Sequence, residues 1–311
     1  MPSAEQRAYF AGYFDAAGCV MVSAANHGAS WRAIVGFGQT KPNVLHRLHG
    51  AYGGNLYQVK RQRANWRPKT NWQLSRFGAV ACLLTDILPF LGEKREQVEA
   101  VMQRFSSRMK TEDGQRLRAD LSAMKKQALD PKALPEGVRV SGQKKKQTCV
   151  TRGCTRRSRA RRLCTMHYQR SKTSAFSPTP SKAFTYSRVP TAVDKAYFAG
   201  YFDGDGNLDL RQKSGTWHLT IYFNQTRPEG VLRLRGVYGG LLALRTKNQP
   251  RRHLLSWVLS TRAGVLAFLY DIVEHSIEKR DEIRIMLSKY RSRLSDEEGA
   301  ALLAEIKKTR A

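Results

Sequence analysis

The ten residues from Tyr9 to Gly18, YFAGYFDAAG, return almost unchanged from Tyr197 to Gly206 as YFAGYFDGDG. The two copies differ at two positions, and one difference concerns chemistry because Asp205 of the second copy corresponds to Ala17 of the first. Internal self-similarity of this kind indicates a duplicated structural unit. The two motifs therefore predict a chain built from two related halves.

Further landmarks follow each motif in the same order. GQTKP at 38–42 corresponds to NQTRP at 224–228, LHGAYGG at 48–54 to LRGVYGG at 234–240, NWQLS at 71–75 to SWVLS at 256–260, and GEKRE at 92–96 to IEKRD at 277–281. We therefore divide the chain into a first repeat at 1–128, a linker at 129–190 and a second repeat at 191–311.

Within each repeat the hydrophobic pattern predicts the order αββαββα, which is an α+β fold. Pro42 is expected in the first turn of the second helix, which Gly53-Gly54 should end. Gly18 and its counterpart Gly206 are expected to take a left-handed conformation where the motif helix ends. A capping box of Ser295 and Glu298 predicts the start of the last helix.

The motif also predicts how the two halves meet. The Ala-Gly pairs at 11–12 and 199–200 put small residues on a helix face, so that two helix backbones can approach closely. Asp205 lies at a helix C-terminus, where the helix dipole disfavours negative charge and a cation would be stabilising. Two such helix ends side by side suit divalent metals and phosphodiester hydrolysis. The plainer alternative is a duplicated dimerisation helix without chemistry.

The composition indicates a polyanionic partner. The 311 residues include 54 Lys and Arg against 25 Asp and Glu, which leaves a net charge of +29. Charge alone favours DNA and RNA equally, with a merely basic surface as the alternative. No apolar run approaches the roughly 18 residues of a membrane span. Five cysteines and the absence of a secretory leader favour a reducing compartment, the cytoplasm of a bacterium or phage host or an organelle.

The paired motifs and the landmarks behind them resemble those of the LAGLIDADG homing endonucleases in their single-chain, two-repeat form. The resemblance covers residues 1–128 and 191–311. It implies a monomer whose two pseudo-symmetric repeats lay antiparallel sheets into the major groove of double-stranded DNA with a long, pseudo-palindromic target site. It further implies that acids at the base of the motif helices hold Mg²⁺, so that both strands are cleaved across the minor groove.

The family places one metal-binding acid on each motif helix, and the matching positions here are Asp205 and Ala17. The magnesium site that the resemblance implies comprises Asp205, Gly204 and Ala16. Because Ala17 lacks a carboxylate, the chain is expected to be a nickase, a non-cleaving DNA binder or a variant inactivated to hold DNA uncut. Asp15, two residues earlier, points to a different helix face and is not expected to replace the missing acid.

Two further pairs of matched residues resemble groups that the family places beside its metals. Lys94 and Lys279 resemble a lysine near the scissile phosphate, where it could stabilise charge or poise the attacking water. Solvated lysines at helix starts are the alternative. Gln39 and Gln225 end their strands where the family often has a metal-adjacent or water-ordering side chain, and the alternative is an amide that caps the following helix.

Strand residues on the groove face would read the DNA, since Arg and Asn suit guanine and adenine edges and Lys suits phosphate. In the first repeat the candidates are Trp31, Arg32, Arg61, Arg63, Asn65 and Arg67. In the second repeat they are Arg211, Lys213, Arg245, Lys247, Asn248, Arg251 and Arg252.

The linker carries a second signal, a set of three cysteines and one histidine: Cys149, Cys154, Cys164 and His167. Three thiolates and one imidazole suit a closed tetrahedral structural Zn²⁺ site, which would stabilise a segment too polar to fold by burial alone. The segment resembles small zinc-binding loops of phage and bacterial DNA-processing nucleases. Reduced cysteines in a basic linker are the alternative.

The same segment is strongly basic, since residues 143–172 contain eleven Lys and Arg and no Asp or Glu. Arg156, Arg157 and Arg161 are among them and are expected to contact phosphates. A solvated basic linker is the alternative. Together the patterns favour a magnesium-dependent, site-specific DNA endonuclease of the homing type, impaired or nicking because of Ala17. The alternative is a DNA- or RNA-binding protein without cleavage, such as an intron-splicing maturase.

Overall fold

A computed structural model describes residues 1–25, 30–59, 68–106, 109–127, 129–136, 138–141, 184–213, 215–245, 253–291 and 293–310. The first repeat consists of α1 (Ala4–Ala17), β1 (Cys19–Ala25), β2 (Ser30–Gln39), α2 (Asn43–Tyr52), β3 (Asn55–Val59), β4 (Lys69–Leu74), α3 (Phe77–Ile87), α4 (Arg95–Arg104) and α5 (Thr111–Lys126). A short strand, β5 (Arg139–Ser141), lies in the linker.

The second repeat follows the same plan. It consists of α6 (Ala192–Asp205), β6 (Asn207–Lys213), β7 (Thr216–Gln225), α7 (Glu229–Tyr238), β8 (Leu241–Arg245), β9 (Leu254–Leu259), α8 (Arg262–Ile272), α9 (Arg280–Lys289) and α10 (Asp296–Thr309). The predicted αββαββα order is confirmed in both repeats, with two further helices closing each.

Each repeat has one sheet whose inner face is apolar. The strand orders are β1-β2-β4-β3 and β5-β8-β9-β7-β6, and all neighbours are antiparallel except β5 and β8. Strand residues alternate between the two faces. Val35 and Phe37 of β2 therefore enter the core with Trp72, while Arg32 lies on the opposite, solvent-exposed face.

Helices α1 and α6 form the contact between the repeats, as the Ala-Gly pairs predict. A Cβ atom on Gly12 would lie 2.0 Å from the carbonyl oxygen of Tyr197, and one on Gly200 would lie 2.0 Å from that of Tyr9. The two backbones therefore touch where side chains are absent. The side chains of Phe14 and Phe202 are fully buried, and each packs in the core of its own repeat.

The last helix of each repeat packs on a tryptophan in the same manner. Gly114 of α5 lies against the indole of Trp31, and Gly299 of α10 lies against that of Trp217. A Cβ atom would come within 2.2 Å of the first ring and 2.1 Å of the second. These matched contacts fix the outer helices against the sheets.

Two local predictions are corrected. Gly18 is extended, with φ −79° and ψ 161°, and Gly206 is similar, so neither is left-handed. A side chain at either would instead collide with the preceding motif phenylalanine, Phe14 or Phe202. Pro42 caps the second helix from outside rather than lying in its first turn.

Other local predictions hold. Gly53 and Gly54 end α2 with φ values of +72° and +92°, which glycine tolerates better than other residues. Ser295 and Glu298 form the capping box of α10. Among the described residues no helix is both long and apolar enough to cross a bilayer.

We expect Gly12→Ala or Gly200→Ala to lower the free energy of unfolding by about 3 kcal/mol, the upper end of the usual overpacking cost, because a methyl group would overlap a backbone carbonyl and separate the helices. Gly50→Ala in α2 is the matched control, since nothing lies within 4 Å of a Cβ there. Its helical propensity should raise stability by about 0.5–1 kcal/mol. Urea unfolding measures both, and equal effects of the two substitutions would contradict the backbone contact.

Candidate active site and nucleic-acid interface

The aspartates shared by both motifs hold the repeats together. The Asp15 carboxylate is buried and accepts hydrogen bonds from the backbone N–H of Gly92 (2.7 Å), the backbone N–H of Lys94 (2.9 Å) and the hydroxyl of Tyr197 (2.8 Å). Burial raises the pKa of Asp15, and these donors oppose the rise. These hydrogen bonds engage both oxygens of the Asp15 carboxylate, and the one from Tyr197 joins the two repeats.

Asp203 has the same surroundings in the second repeat. It accepts from the hydroxyl of Tyr9 (2.6 Å), the hydroxyl of Ser276 (2.6 Å) and the backbone N–H groups of residues 277–279, which precede α9. Each motif aspartate thus receives a tyrosine hydroxyl from the opposite repeat. Sequence reasoning missed this exchange, although the recurrence of Tyr9 as Tyr197 was a signal for it.

Lys94 and Lys279 reach the C-terminal ends of the motif helices. The Nζ atom of Lys94 donates to the carbonyls of Phe14 and Gly18, each at 2.8 Å. Lys279 Nζ donates to Phe202 O (2.5 Å) and Gly206 O (2.6 Å). Burial lowers the pKa of each ammonium, while nearby carboxylates oppose the shift. Each lysine caps its helix with two of its three N–H donors, and the third has no acceptor among the described residues.

Asp205 lies at the end of α6 beside that capped terminus. Its carboxylate is half-buried and accepts a 2.8 Å hydrogen bond from Nε2 of Gln225, the last residue of β7. The amide of Gln225 therefore orients the acid rather than capping the following helix. A cavity of about 370 Å³ opens in front of Asp205, and Gln39 of the first repeat and Lys279 also line it.

Position 17 lies across the helix contact from Gly204, the residue before Asp205. A Cβ atom built on Gly204 would lie 3.6 Å from Cβ of Ala17 and 2.4 Å from Cβ of Ala16. A carboxylate at position 17 would therefore stand next to the Gly204–Asp205 pair. With alanine there, the first repeat offers no acid at the matching point.

The donor groups suit a divalent cation that DNA helps to bind. No three His, Cys, Asp or Glu side chains converge on a metal position anywhere in the part of the chain that the structure describes. Mg²⁺ is commonly held by one or two carboxylates, with substrate phosphates and water completing the octahedron. The carboxylate of Asp205, in an open polar cavity that Asp203, Glu278 and Glu282 also line, fits that mode of binding.

Comparison with known proteins identifies the architecture. No protein-family model and no curated protein sequence matches the chain. The structure of the LAGLIDADG homing endonuclease I-GzeII in complex with its DNA target is 12% identical, with a TM-score of 0.54 over 97% of each chain. The chain has the LAGLIDADG homing endonuclease fold.

Two further solved structures agree. The LAGLIDADG meganuclease I-AabMI bound to uncleaved DNA is 13% identical, with a TM-score of 0.55 over 97% of this chain and 98% of that one. The meganuclease I-SmaMI bound to uncleaveable DNA is 16% identical, with a TM-score of 0.51 over 99% and 98%.

The LAGLIDADG fold of this chain presents a polar face on each sheet. Four of the candidate DNA-reading residues are exposed strand residues of these faces: Arg32, Arg211, Lys213 and Arg245. Arg211 is paired with Asp209 on the same face. Together with His218 and Asn224, these second-repeat residues line a cavity of about 560 Å³ on the outer surface of the sheet.

The prediction that Trp31 lies on the groove face and reads DNA is wrong. Trp31 is 7% exposed and packs against Gly114 in the core, because adjacent strand residues face opposite sides and Arg32 takes the polar side.

The remaining DNA-contact candidates and the zinc candidates all lie outside the described residues. For DNA contact these are Arg61, Arg63, Asn65, Arg67, Arg156, Arg157, Arg161, Lys247, Asn248, Arg251 and Arg252. The zinc candidates Cys149, Cys154, Cys164 and His167 also lie outside them.

The sequence did not predict the contacts of Glu93 and Glu278, the glutamates that precede the two lysines. Glu278 accepts from the backbone N–H of Val44 (2.8 Å) and the amide of Asn43 (3.1 Å), so it caps α2 of the other repeat. Its counterpart Glu93 is buried and hydrogen-bonds to the hydroxyl of Tyr201. Burial raises the pKa of Glu93 to about 8, the Tyr201 hydrogen bond opposes the rise, and Asp15 adds to it.

The raised pKa of Glu93 predicts a pH-dependent stability. Between its ordinary value of 4.5 and about 8, the folded protein keeps a proton that the unfolded chain releases. This stabilisation is complete below the lower value and is lost as the pH rises through the upper one. Relative to Glu93→Gln, the free energy of unfolding should fall by up to about 1.4 kcal/mol per pH unit in that window.

Urea unfolding at a series of pH values from about 5 to 9 measures the difference. Glu96→Gln is the matched control, because Glu96 is exposed and should leave the slope unchanged. If the free energy of unfolding depends on pH in the same way for the unmodified chain and for Glu93→Gln, Glu93 is ionised in the folded protein and the prediction is wrong.

Proposed function

We propose that the chain is a site-specific, magnesium-dependent endonuclease for double-stranded DNA, of the LAGLIDADG homing type, that nicks one strand. The observation that carries the proposal is the half-site at the base of α6. There Asp205 faces a cavity at the junction of the two repeats. Gln225 orients its carboxylate, and Lys279 lines the same cavity. The matching half-site at the base of α1 lacks its acid because of Ala17.

The side chains of this half-site have distinct roles in the proposal. Asp205 would hold the Mg²⁺ beside Gly204 and Ala16, and Gln225 would keep the carboxylate in one orientation. When bound, the cation would stabilise charge on the scissile phosphate and lower the pKa of the attacking water. The remaining N–H of Lys279 would donate to phosphate or water at the same point. Lys94 and Gln39 would act likewise in the first half-site.

The charge of the molecule and its two polar sheet faces support duplex DNA as the partner. A net charge of +29 favours phosphate contact, and the exposed arginines on the strands suit guanine edges in a major groove. Two pseudo-symmetric faces on one chain fit a monomer on a long, pseudo-palindromic site. We also propose a structural Zn²⁺ held by Cys149, Cys154, Cys164 and His167.

A second function is favoured by Ala17 itself. A chain that keeps both sheet faces and has lost one acid fits a non-cleaving nucleic-acid binder, such as an intron-splicing maturase. Such a protein would prefer structured RNA to duplex DNA in a competition at moderate salt. The endonuclease proposal requires the opposite preference.

We expect the chain, incubated with a randomised duplex library and Mg²⁺, to nick one strand at selected sites. Ala17→Asp should convert the nicks into double-strand breaks at the same sites, because it restores the second carboxylate beside Gly204. Sequencing of DNA ends, with nicks and breaks scored separately, measures both products.

Two control variants make this test specific. Ala17→Asn has the size of aspartate without its charge and should give nicks only. Asp205→Asn should abolish cutting while duplex binding persists. If neither the chain nor Ala17→Asp cuts any duplex, the nuclease proposal is wrong and the binding function replaces it.

A further inference from the structure

The two sheets are unequal, and the difference comes from the linker. In the part of the chain that the structure describes, the first sheet has four strands and the second has five. The additional strand is β5, which pairs parallel with β8 through Arg139 and Ala243, Val140 and Leu244, and Ser141 and Arg245. Within the described residues, the equivalent edge of the first sheet, β3, has no such neighbour.

Strand β8, with which β5 pairs, contributes residues to the polar face of the second sheet. In β8, Leu242 and Leu244 are buried, whereas Ala243 is partly exposed and Arg245 is exposed. Arg245 lines the same surface cavity as Arg211 and Lys213. Because neighbouring strands lie about 4.8 Å apart, β5 widens this surface by one strand.

The chain also returns to the second repeat after the linker. The described part of the linker stops at Ser141, whose strand partner is Arg245, and resumes at Phe184. The ring of Phe184 lies against Gly264 of α8, since a Cβ there would be 3.1 Å from it, and packs edge-on to Tyr186 at 4.9 Å. Tyr186 in turn donates a 2.9 Å hydrogen bond to Asp271 of α8. Both attachment points therefore belong to the second repeat.

We propose that β5 is a fifth DNA-contacting strand, which gives the second repeat a longer contact with the duplex than the first. This inference rests on the proposed function as a duplex-DNA-binding protein. A parallel strand added at a sheet edge is held by main-chain hydrogen bonds, so it extends the binding surface without altering the core. The target site is then asymmetric in length although the two repeats share one plan.

The experiment uses the full chain and a target selected by binding from a randomised duplex library. Hydroxyl-radical protection then counts the covered nucleotides on each half-site. Arg32→Ala identifies the half-site of the first repeat, because base preference should relax there alone. We expect more protected nucleotides on the other half-site.

Two variants test whether β5 is the cause. Val140→Pro removes an N–H and breaks the pairing with Leu244. Arg139→Glu keeps the backbone pairing and reverses one charge at this edge. Each should weaken binding by about tenfold. Each should also shorten protection on the second half-site to the length seen on the first, and leave the first unchanged. Val59→Pro in β3, the edge strand of the first sheet, is the matched control and should affect the first half-site instead.

Equal protection of the two half-sites by the unmodified chain would overturn the inference and leave DNA binding intact. Unchanged protection with both β5 variants would also overturn it. Selection of no duplex sequence at all would overturn the proposed function and this inference with it.

Discussion

The backbone contact between α1 and α6 is the constraint on which the rest of the structure depends. Gly12 and Gly200 each lie against a carbonyl oxygen of the opposite helix, at a distance that admits no side chain. This approach brings the two helix ends together and sets Ala17 beside Gly204. The close packing of the two helices therefore determines how near to each other the groups of the two repeats can lie in any shared active site.

Around that contact, hydrogen bonds between the repeats are exchanged in pairs. Tyr9 and Tyr197 each donate to the motif aspartate of the other repeat, and these aspartates also bind the backbone before α4 and α9. Lys94 and Lys279 lie in those segments, and their side chains donate hydrogen bonds to carbonyl groups at the ends of the motif helices. The polar groups at the centre of the molecule are thus satisfied mainly by one another, which buried polar atoms require.

The duplication made much of the fold predictable from sequence. Repeated landmarks located both motif helices, the order of helices and strands along the chain and the Gly-Gly turn after α2, and small residues at Gly12 and Gly200 predicted the helix contact. Trp31 was misplaced because its neighbour Arg32 suggested a polar face, although adjacent strand residues must point apart. Strand β5 could not be predicted, since three residues in a linker have no periodicity and their partner lies about a hundred positions away.

At the candidate site, sequence placed Asp205, Gln225 and Lys279 together but gave the lysine only a chemical role. Its two hydrogen bonds to helix carbonyls depend on a turn that brings residue 279 back to residue 206, which no local pattern encodes. The functional and packing roles of neighbouring acids also separate here. Asp203 is enclosed by donors, whereas Asp205 is oriented by one amide and otherwise faces the cavity.

That separation bears on how such a gene can change. Replacing Asp15 or Asp203 would leave buried donors unsatisfied, so the change would be removed by selection on folding whatever the protein does. Ala17 lies outside that network of hydrogen bonds, so a substitution there leaves the buried donors satisfied. On the proposed role of position 17, a lineage of this architecture can therefore gain or lose the second acid by a single substitution while the hydrogen bonds between the repeats stay in place.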